Sequence, residues 1–269
     1  MADRVADRVA LVIGGAGNIG GATAAALARE GARVVITGRD PAKGMARVKA
    51  IRDGGGTIRF VSHEVTDHEA WPALFKDIRT HEGGPDIVVC SAGKAFLANF
   101  DGSTADDLRS ALAVNVEGVF LAAKEAFLSW RTSGRGGNFI AISGVNGLRG
   151  SPNASVHSAS KGGMTGLVRS LAEEGRAINV SANTVHPSLT WPGGEPPPRA
   201  AKIFGADRLA AHMANTKAIT PMGRIGEPED IAEAVLFLAA QSRPTVTGQQ
   251  IAVDGGRTAG EFRRTATQT

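Results

Sequence analysis

The chain has 269 residues, of which 42% are hydrophobic, and a formal net charge of +4 at pH 7. A chain of this length can bury a sizeable core, and α/β chains of this size commonly form one domain. A single cysteine excludes a disulfide framework within the chain, no apolar stretch reaches membrane-spanning length and no signal-peptide pattern is present. We therefore expect a cytoplasmic protein with no membrane partner. The mild charge is spread along the chain, which argues against a nucleic-acid partner, and no motif predicts a metal site.

The predicted elements alternate between strands and helices from the N-terminus onward. The apolar run Val9–Ile13 enters a glycine-rich turn, and a helical stretch follows as far as Glu30, which predicts a strand, a tight turn and a helix. Further β-type runs occur at Arg33–Thr37, Thr57–Val61, Asp86–Cys90, Asn138–Ile142, Asn179–Val185 and Gln250–Val253. Helical stretches lie between these runs, at about 41–53, 68–81, 104–130, 155–174, 206–216 and 227–240.

This alternation predicts an α/β fold: a single-domain, Rossmann-type, doubly wound parallel sheet with helices on both faces. In such a sheet the ligand crevice lies at the carboxyl ends of the strands. We expect one nucleotide-binding and catalytic domain over residues 1–256. Within it, the Pro- and Gly-rich segment 188–220 is typical of a substrate lid. The polar tail 257–269 is expected to be mobile.

The glycine-rich turn after the first strand is a candidate phosphate site. Gly14 and Gly20 let the backbone approach a pyrophosphate, and the N–H groups at the helix start, around Asn18 and Ile19, favour its negative charge. Asn18 stands where such turns usually have glycine, and asparagine tolerates left-handed backbone geometry. A plain strand-to-helix turn is the alternative explanation of this motif taken alone.

Further motifs follow the turn in a fixed order. They are Cys90-Ser-Ala-Gly93, Asn115-Val-Glu-Gly118, Ile142-Ser-Gly144, His157-Ser-Ala-Ser-Lys161, Asn183-Thr-Val-His-Pro187, Pro221–Asp230 and Gly248–Gly256. Together they resemble the short-chain dehydrogenase/reductase family, from about residue 8 to residue 256. The resemblance implies an oxidoreductase with a nicotinamide cofactor, a small-molecule substrate, and a homotetramer or homodimer as the assembly.

The resemblance also implies which residues contact the cofactor. Glu64 and Val65 match the family's pair at the adenine. Two pairs of residues match backbone that flanks the adenosine ribose and the nicotinamide; they are Ala92-Gly93 and Pro187-Ser188. Lys161 matches the lysine that binds the nicotinamide ribose.

The end of the second strand favours NADP(H) over NAD(H). Gly38 and Arg39 stand where an acidic side chain would hold the ribose 2′-hydroxyl. An acidic group would repel a 2′-phosphate, whereas an arginine can bind it through a fork of hydrogen bonds. A solvated arginine beside a turn is the alternative interpretation of Arg39.

Two of the family's four catalytic groups are missing. Gly144 stands where the resemblance implies a serine that steadies the substrate oxygen, and His157 stands where it implies a tyrosine that exchanges a proton with that oxygen. The chain contains no tyrosine, so neither another part of the chain nor a second copy can supply one. By matched position, Asn115 and Lys161 keep the asparagine and lysine roles.

The spacing of His157 and Lys161 places both on one helix face, a turn apart. The nearby ammonium should disfavour the imidazolium, so we expect a neutral histidine near pH 7. A neutral imidazole is a competent base for alcohol oxidation and a poor acid for carbonyl reduction. Ser143 or Asn146 could partly replace the hydroxyl missing at Gly144.

Four functions remain open on these residues. The first is an alcohol or ketone oxidoreductase that uses His157 for proton transfer. The second is a reductase of conjugated C=C bonds that does without a tyrosine. The third is a non-redox isomerase, lyase or cyclase that keeps a nucleotide pocket, and the fourth is a catalytically silent nucleotide-binding protein. At the substrate end, Arg199, Lys202 and Arg208 are candidates to meet an anionic substrate, with a solvated face as the alternative.

Overall fold

The described part of the chain contains seven strands, all of them in one sheet. The computed structural model describes residues 3–196, 200, 205–242 and 245–260, without the side chain of Arg208. The strands are β1 (Val9–Ile13), β2 (Arg33–Gly38), β3 (Thr57–Ser62), β4 (Ile87–Cys90), β5 (Gly137–Ile142), β6 (Val180–Pro187) and β7 (Gln250–Val253). All pairings are parallel, and the order across the sheet is β3-β2-β1-β4-β5-β6-β7. The predicted doubly wound parallel sheet is therefore confirmed.

Helices connect successive strands, as the alternating sequence pattern predicts. They are α1 (Asn18–Arg29), α2 (Pro41–Asp53), α3 (Ala70–Glu82), α4 (Ala105–Leu112), α5 (Gly118–Ser133), α6 (Ser155–Gly175), α7 (Ala206–Ala218) and α8 (Pro228–Ala239). No helix in the described residues is long and apolar enough to span a bilayer. Arg199, Lys202, the Arg208 side chain and residues 261–269 of the predicted tail lie outside what is described.

Both faces of the sheet are covered, because consecutive residues of a strand point to opposite sides. In β1, Ala10 and Val12 join a core with residues of α1 and α8 such as Leu27 and Leu236. The alternate β1 residues Val9, Leu11 and Ile13 join a second core on the other face, with Trp71, Phe75 and Trp130. All five β1 residues are buried, which explains why the strand reads as a continuous apolar run rather than an alternating one.

The helix expected over 104–130 is interrupted. Helix α4 begins after a capping box formed by Thr104 and Asp107, and α5 ends at Ser133. Between them, residues Ala113–Glu117 form a π-helical turn with Asn115 at its centre. The apolar periodicity continues through this turn, so the pattern alone predicted one helix. Single π turns of this kind occur often at functional sites.

Candidate active site

The loops that follow five neighbouring strands start at one edge of the sheet; the strands are β1, β4, β5, β6 and β7. The register aligns Ile13 with Cys90 in β1 and β4, Ile142 with Val185 in β5 and β6, and Pro187 with Val253 in β6 and β7. The strand order reverses between β1 and β4. From β1 the chain proceeds outward through β2 to β3, and from β4 it proceeds outward on the other side through β5 and β6 to β7. Ligands of doubly wound sheets bind at this reversal, beyond the carboxyl ends of the strands.

The turn between β1 and α1 is shaped by close backbone contacts. Gly14 has a left-handed φ of +80°, and a Cβ there would lie 2.5 Å from the backbone nitrogen of Ala92. A Cβ on Gly20 would lie 2.4 Å from the carbonyl oxygen of Gly14. Both glycines are therefore required by the packing of the turn. Helix α1 begins after Gly17 without a side-chain cap and without an acidic residue in its first turn, which leaves its N–H groups available for an anion.

The structure corrects the expected backbone geometry of Asn18. Its backbone is not left-handed, because Asn18 is the first helical residue of α1. The left-handed position of the turn is Gly14, and asparagine at position 18 needs no unusual conformation. Ile19 follows in the first turn of α1 and packs against the core on that face.

Arg39 lies at the carboxyl end of β2 and is almost fully solvated. Its side chain is 79% exposed, and its only ion pair among the described residues is a loose contact of 3.5 Å from Nη1 to Oε2 of Glu64. The carboxylate of the neighbouring Asp40 does not pair with Arg39, because it caps α2 by accepting a hydrogen bond from the Lys43 backbone. The guanidinium of Arg39 is thus free to turn toward an added anion.

Val65 is buried and packs against Gly118, so its side chain belongs to the core.

Lys161 is a buried cation at the base of the crevice. Its Nζ donates a hydrogen bond of 2.9 Å to the carbonyl of Ile142, the last residue of β5. A Cβ on Gly93 would lie 3.6 Å from the same Nζ, so the loop after β4 passes directly beside the ammonium. Desolvation lowers the pKa of Lys161 to about 8. The lysine therefore remains charged at neutral pH but sits close to its titration point.

Asn115 joins three elements around this lysine. It is buried, its Oδ1 accepts a hydrogen bond of 2.8 Å from the Lys94 backbone N–H, and its Nδ2 donates bonds of 2.9 Å to the Lys94 carbonyl and to Oγ of Ser160. Ser160 in turn donates to the His157 carbonyl. The side chain of Asn115 thus fixes the loop after β4 against the first turns of α6.

His157 lies in the first turn of α6, one helical turn before Lys161. Its Nδ1 is buried and has no hydrogen-bond partner among the described residues. The pKa of His157 is lowered to about 4, chiefly by desolvation and next by the Lys161 ammonium, while the Lys94 backbone opposes the shift. The imidazole is therefore neutral at pH 7, and the Lys161 ammonium lowers its pKa, as expected from the sequence.

The residues after β5 lie beside Lys161 and the end of β6. The Ser143 hydroxyl turns inward: it donates to the Lys161 carbonyl at 3.2 Å and lies 3.4 Å from Oγ1 of Thr165. Gly144 has extended backbone, and a Cβ built there would meet nothing closer than the Pro187 carbonyl at 3.8 Å. Gly144 therefore leaves an open space that a larger side chain could occupy.

His186 is a site residue that the sequence did not single out. It is buried near the end of β6, and its Nδ1 donates to the Gly144 carbonyl at 2.8 Å while Nε2 accepts from the Thr184 hydroxyl at 2.7 Å. Desolvation lowers the pKa of His186, which keeps this neutral, doubly bonded form. The only signal in the sequence is a histidine within a buried strand, and that pattern gives no hint of its partner.

Comparison with known proteins identifies the family. A family model described as enoyl-(acyl carrier protein) reductase matches residues 14–258. The NADP-dependent (R)-specific alcohol dehydrogenase of Lentilactobacillus kefiri is 36% identical over 263 residues, which covers 96% of this chain and 100% of that protein. The chain belongs to the short-chain dehydrogenase/reductase family.

Other short-chain dehydrogenases/reductases match the chain over nearly its whole length. The cis-4-hydroxycyclohexanecarboxylate dehydrogenase of Sinomonas cyclohexanicum is 36% identical over 264 residues, covering 96% of this chain and 100% of that protein. A crystal structure of a gluconate 5-dehydrogenase from Burkholderia cenocepacia in complex with NADP and tartrate superposes with a TM-score of 0.86 at 28% identity, covering 96% of this chain and 98% of that chain. These relatives are oxidoreductases, which agrees with the activity class that the resemblance implied.

Proposed function

We propose that this chain is an NADP(H)-dependent oxidoreductase of small-molecule alcohols and ketones, in which His157 takes the place of the usual tyrosine. The observation that carries the proposal is the pairing on α6 of a neutral, half-buried imidazole with a buried ammonium one turn away. A proton acceptor beside a fixed positive charge is the arrangement needed to deprotonate an alcohol near pH 7. The relatives named as NADP-dependent or solved with NADP support the choice of cofactor.

The described residues fit a dinucleotide with a 2′-phosphate. The cradle at Gly14 and Gly20 admits no Cβ, and the uncapped start of α1 offers N–H donors for the pyrophosphate. At the adenosine end, Arg39 would hold the 2′-phosphate, with Glu64 and Val65 beside the adenine. At the other end, Ala92, Gly93, Pro187 and Ser188 would flank the ribose and nicotinamide, and Lys161 would hold the ribose hydroxyls.

Bound NADP⁺ supplies the hydride acceptor for alcohol oxidation. The chain's own contribution is the proton: neutral His157 removes it from the substrate hydroxyl. We assign this step to Nε2, because Nδ1 is enclosed by protein. Desolvation, and next the Lys161 ammonium, keep the imidazole unprotonated near pH 7, and the ammonium is itself held by the Ile142 carbonyl. Asn115 fixes the loop that carries Gly93 against the first turns of α6, which carry His157 and Lys161.

The missing serine has a structural consequence for substrate orientation. Ser143 is engaged with the Lys161 carbonyl and Thr165, so we do not assign it a contact with substrate. The space at Gly144 is available for the substrate itself or for a water molecule that orients the reacting oxygen. His186 fixes the Gly144 carbonyl at the wall of this space. A bulkier secondary alcohol would therefore be accepted more readily than in a site that carries a serine here.

The test is an ultraviolet assay of nicotinamide reduction, with NADP⁺ and a panel of secondary alcohols. An NADPH signal with at least one alcohol, greatly reduced in His157→Phe, supports the proposal. Turnover of conjugated C=C substrates at parental rate in His157→Phe would favour the C=C reductase instead. Product formation without net nicotinamide change would indicate a non-redox enzyme, and nucleotide binding without any turnover would indicate a silent protein.

A further inference from the structure

A second group of cationic side chains lies at the same edge of the sheet, outside the nucleotide cradle and the His157 site. Arg149 belongs to the segment that joins β5 to α6, and Arg257 follows β7. His212 on α7 lies close enough to Arg257 for the guanidinium to lower its pKa, after a larger effect of desolvation. Three separate segments therefore bring basic groups to one place.

Arg257 is held by a neutral partner. Its Nη1 donates to Oγ of Ser188 at 3.0 Å, and its buried Nε has no hydrogen-bond partner among the described residues. Buried guanidinium N–H groups nearly always find an acceptor in a complete complex. The pKa of Arg257 is lowered, first by desolvation and then by Arg149, yet a guanidinium keeps its charge in proteins.

Asp254 attracts the Arg257 guanidinium and so opposes the lowering of its pKa, but it forms no salt bridge with it. The oxygens of Asp254 accept hydrogen bonds from the Gly256 backbone, and from the Thr258 backbone and hydroxyl, at 2.6–2.9 Å. Among the described residues, neither Arg149 nor Arg257 forms a salt bridge with any carboxylate, and Arg149 reaches only the Arg257 carbonyl, at 3.5 Å. One carboxylate cannot balance two guanidinium groups, and like charges brought together repel, so positive charge is left uncompensated on this described surface.

The contacts and chain positions of Arg149 and Arg257 place them near the proposed site of reaction. Ser188 directly follows Pro187, whose carbonyl is the nearest atom to the open space at Gly144. Arg257 is anchored to that same Ser188. Arg149 stands between the Gly144 turn and the start of α6, which carries His157. A substrate whose hydroxyl meets His157 would reach the two arginines by extending past Gly144.

We propose that Arg257, assisted by Arg149, binds a carboxylate of the substrate, so that the physiological substrate is a hydroxy acid or the corresponding keto acid. This inference rests on the proposed function for the identity of the reacting group, but the anion site itself does not. The guanidinium fork of Arg257 matches the two oxygens of a carboxylate, and the Ser188 hydroxyl accepts a hydrogen bond from only one nitrogen of that fork, Nη1.

Binding of unreactive probes tests the site without turnover. Cyclohexanecarboxylate and its neutral counterpart cyclohexanecarboxamide are titrated calorimetrically into the protein, with and without saturating NADP⁺. We expect the carboxylate to bind at least about tenfold more tightly, and Arg257→Gln to remove that preference. Arg257→Lys keeps the charge but loses the fork and should give an intermediate preference. Arg131→Gln, the same change at an exposed position on α5, is the matched control and should bind as the parent.

Three results would overturn the inference: equal binding of carboxylate and carboxamide, an unchanged preference in folded Arg257→Gln, or tighter binding of cyclohexyl phosphate than of the carboxylate. Thermal unfolding of each variant shows that it is folded. Turnover is measured separately, by comparing kcat/KM for cis-4-hydroxycyclohexanecarboxylate with that for cyclohexanol. An Arg257-dependent carboxylate preference in binding, without oxidation of any alcohol, would leave the anion site standing and refute the proposed function alone.

Discussion

Lys161 is a residue that the proposed function needs but that lowers the stability of the folded protein, because its charge is buried. The side chain is 6% exposed, and no carboxylate in the described part of the chain lies within ion-pair distance. Its pKa in the folded protein is about 8, below its ordinary value of 10.5, so the unfolded chain binds more protons between these values. The charged lysine therefore costs stability at neutral pH, and that cost disappears as the pH rises from about 8 toward the ordinary value.

We predict that Lys161→Met raises the free energy of unfolding at pH 7 by about 1–3 kcal/mol, because it removes a buried charge at the expense of one hydrogen bond to Ile142. Nucleotide affinity should fall by at least about tenfold in the same variant. Urea unfolding and calorimetric titration measure the two effects. The exposed Lys124→Met on α5 is the control and should change neither. A destabilised variant that binds nucleotide like the parent would contradict this view of Lys161.

Arg39 is the residue on which cofactor choice depends. We predict that Arg39→Gln weakens NADP(H) binding by about tenfold or more and leaves NAD(H) binding nearly unchanged, because only NADP(H) carries a 2′-phosphate. Lys49→Gln removes a positive charge from the same βαβ unit, but Lys49 is paired with Asp53 on the outer face of α2. This control should leave both affinities as they are. Equal loss of both nucleotides in Arg39→Gln would show that the arginine acts on the fold and not on the phosphate.

The π turn is the element that sequence periodicity could not predict. Helix α2 was predicted at its observed bounds, because a capping aspartate, an N-terminal proline and a terminal glycine mark its ends. No such marks surround Ala113–Glu117, where apolar residues continue the pattern of α4 into α5. What distinguishes the turn is the inward position of Asn115, whose partners Lys94 and Ser160 lie 21 and 45 residues away. Contacts at such separation are fixed by the tertiary structure alone.

We predict that Asn115→Ala lowers the free energy of unfolding by about 2–4 kcal/mol, because it removes three hydrogen bonds, two to the backbone of Lys94 and one to the buried Ser160 hydroxyl. Activity should fall as well, since the loop that passes Lys161 would lose its anchor. Denaturant unfolding checks the first effect. Asn99→Ala removes an exposed asparagine whose side chain caps no helix, and we expect a change below about 0.5 kcal/mol. An equally small change in Asn115→Ala would show that other contacts hold the loop.

At the scale of the whole molecule, the alternation of elements was sufficient to predict the sheet. Each of the seven described strands overlaps a run expected from the sequence, and their boundaries differ by no more than two residues. The ordered motifs also led to most candidate residues, since a parallel sheet brings its carboxyl ends to one edge. Contacts between loops could not be predicted from the order of the elements or from the motifs. The link from Arg257 to Ser188 joins residues 69 positions apart, and nothing in the local sequence of either predicts it.

His157 is the group that moves the proton in the proposed reaction. With a folded pKa of about 4, His157 is neutral throughout the neutral range, while Lys161 begins to lose its charge at about 8. Alcohol oxidation needs the neutral imidazole and the charged lysine, so it should proceed on a plateau between these values. Carbonyl reduction needs the imidazolium, so its rate should decline steadily with rising pH above about 4.

The most direct test is the pH dependence of kcat/KM for alcohol oxidation at saturating NADP⁺, measured for the parent and for His157→Phe. We predict that the parent rate rises through an apparent pKa near 4, stays level, and falls beyond about 8. His157→Phe should lose the acidic limb and about 10²–10⁴-fold in rate across the plateau. A folded His157→Phe enzyme that oxidises the same alcohol at the parental rate, with the acidic limb intact, would contradict the assignment of proton transfer to His157.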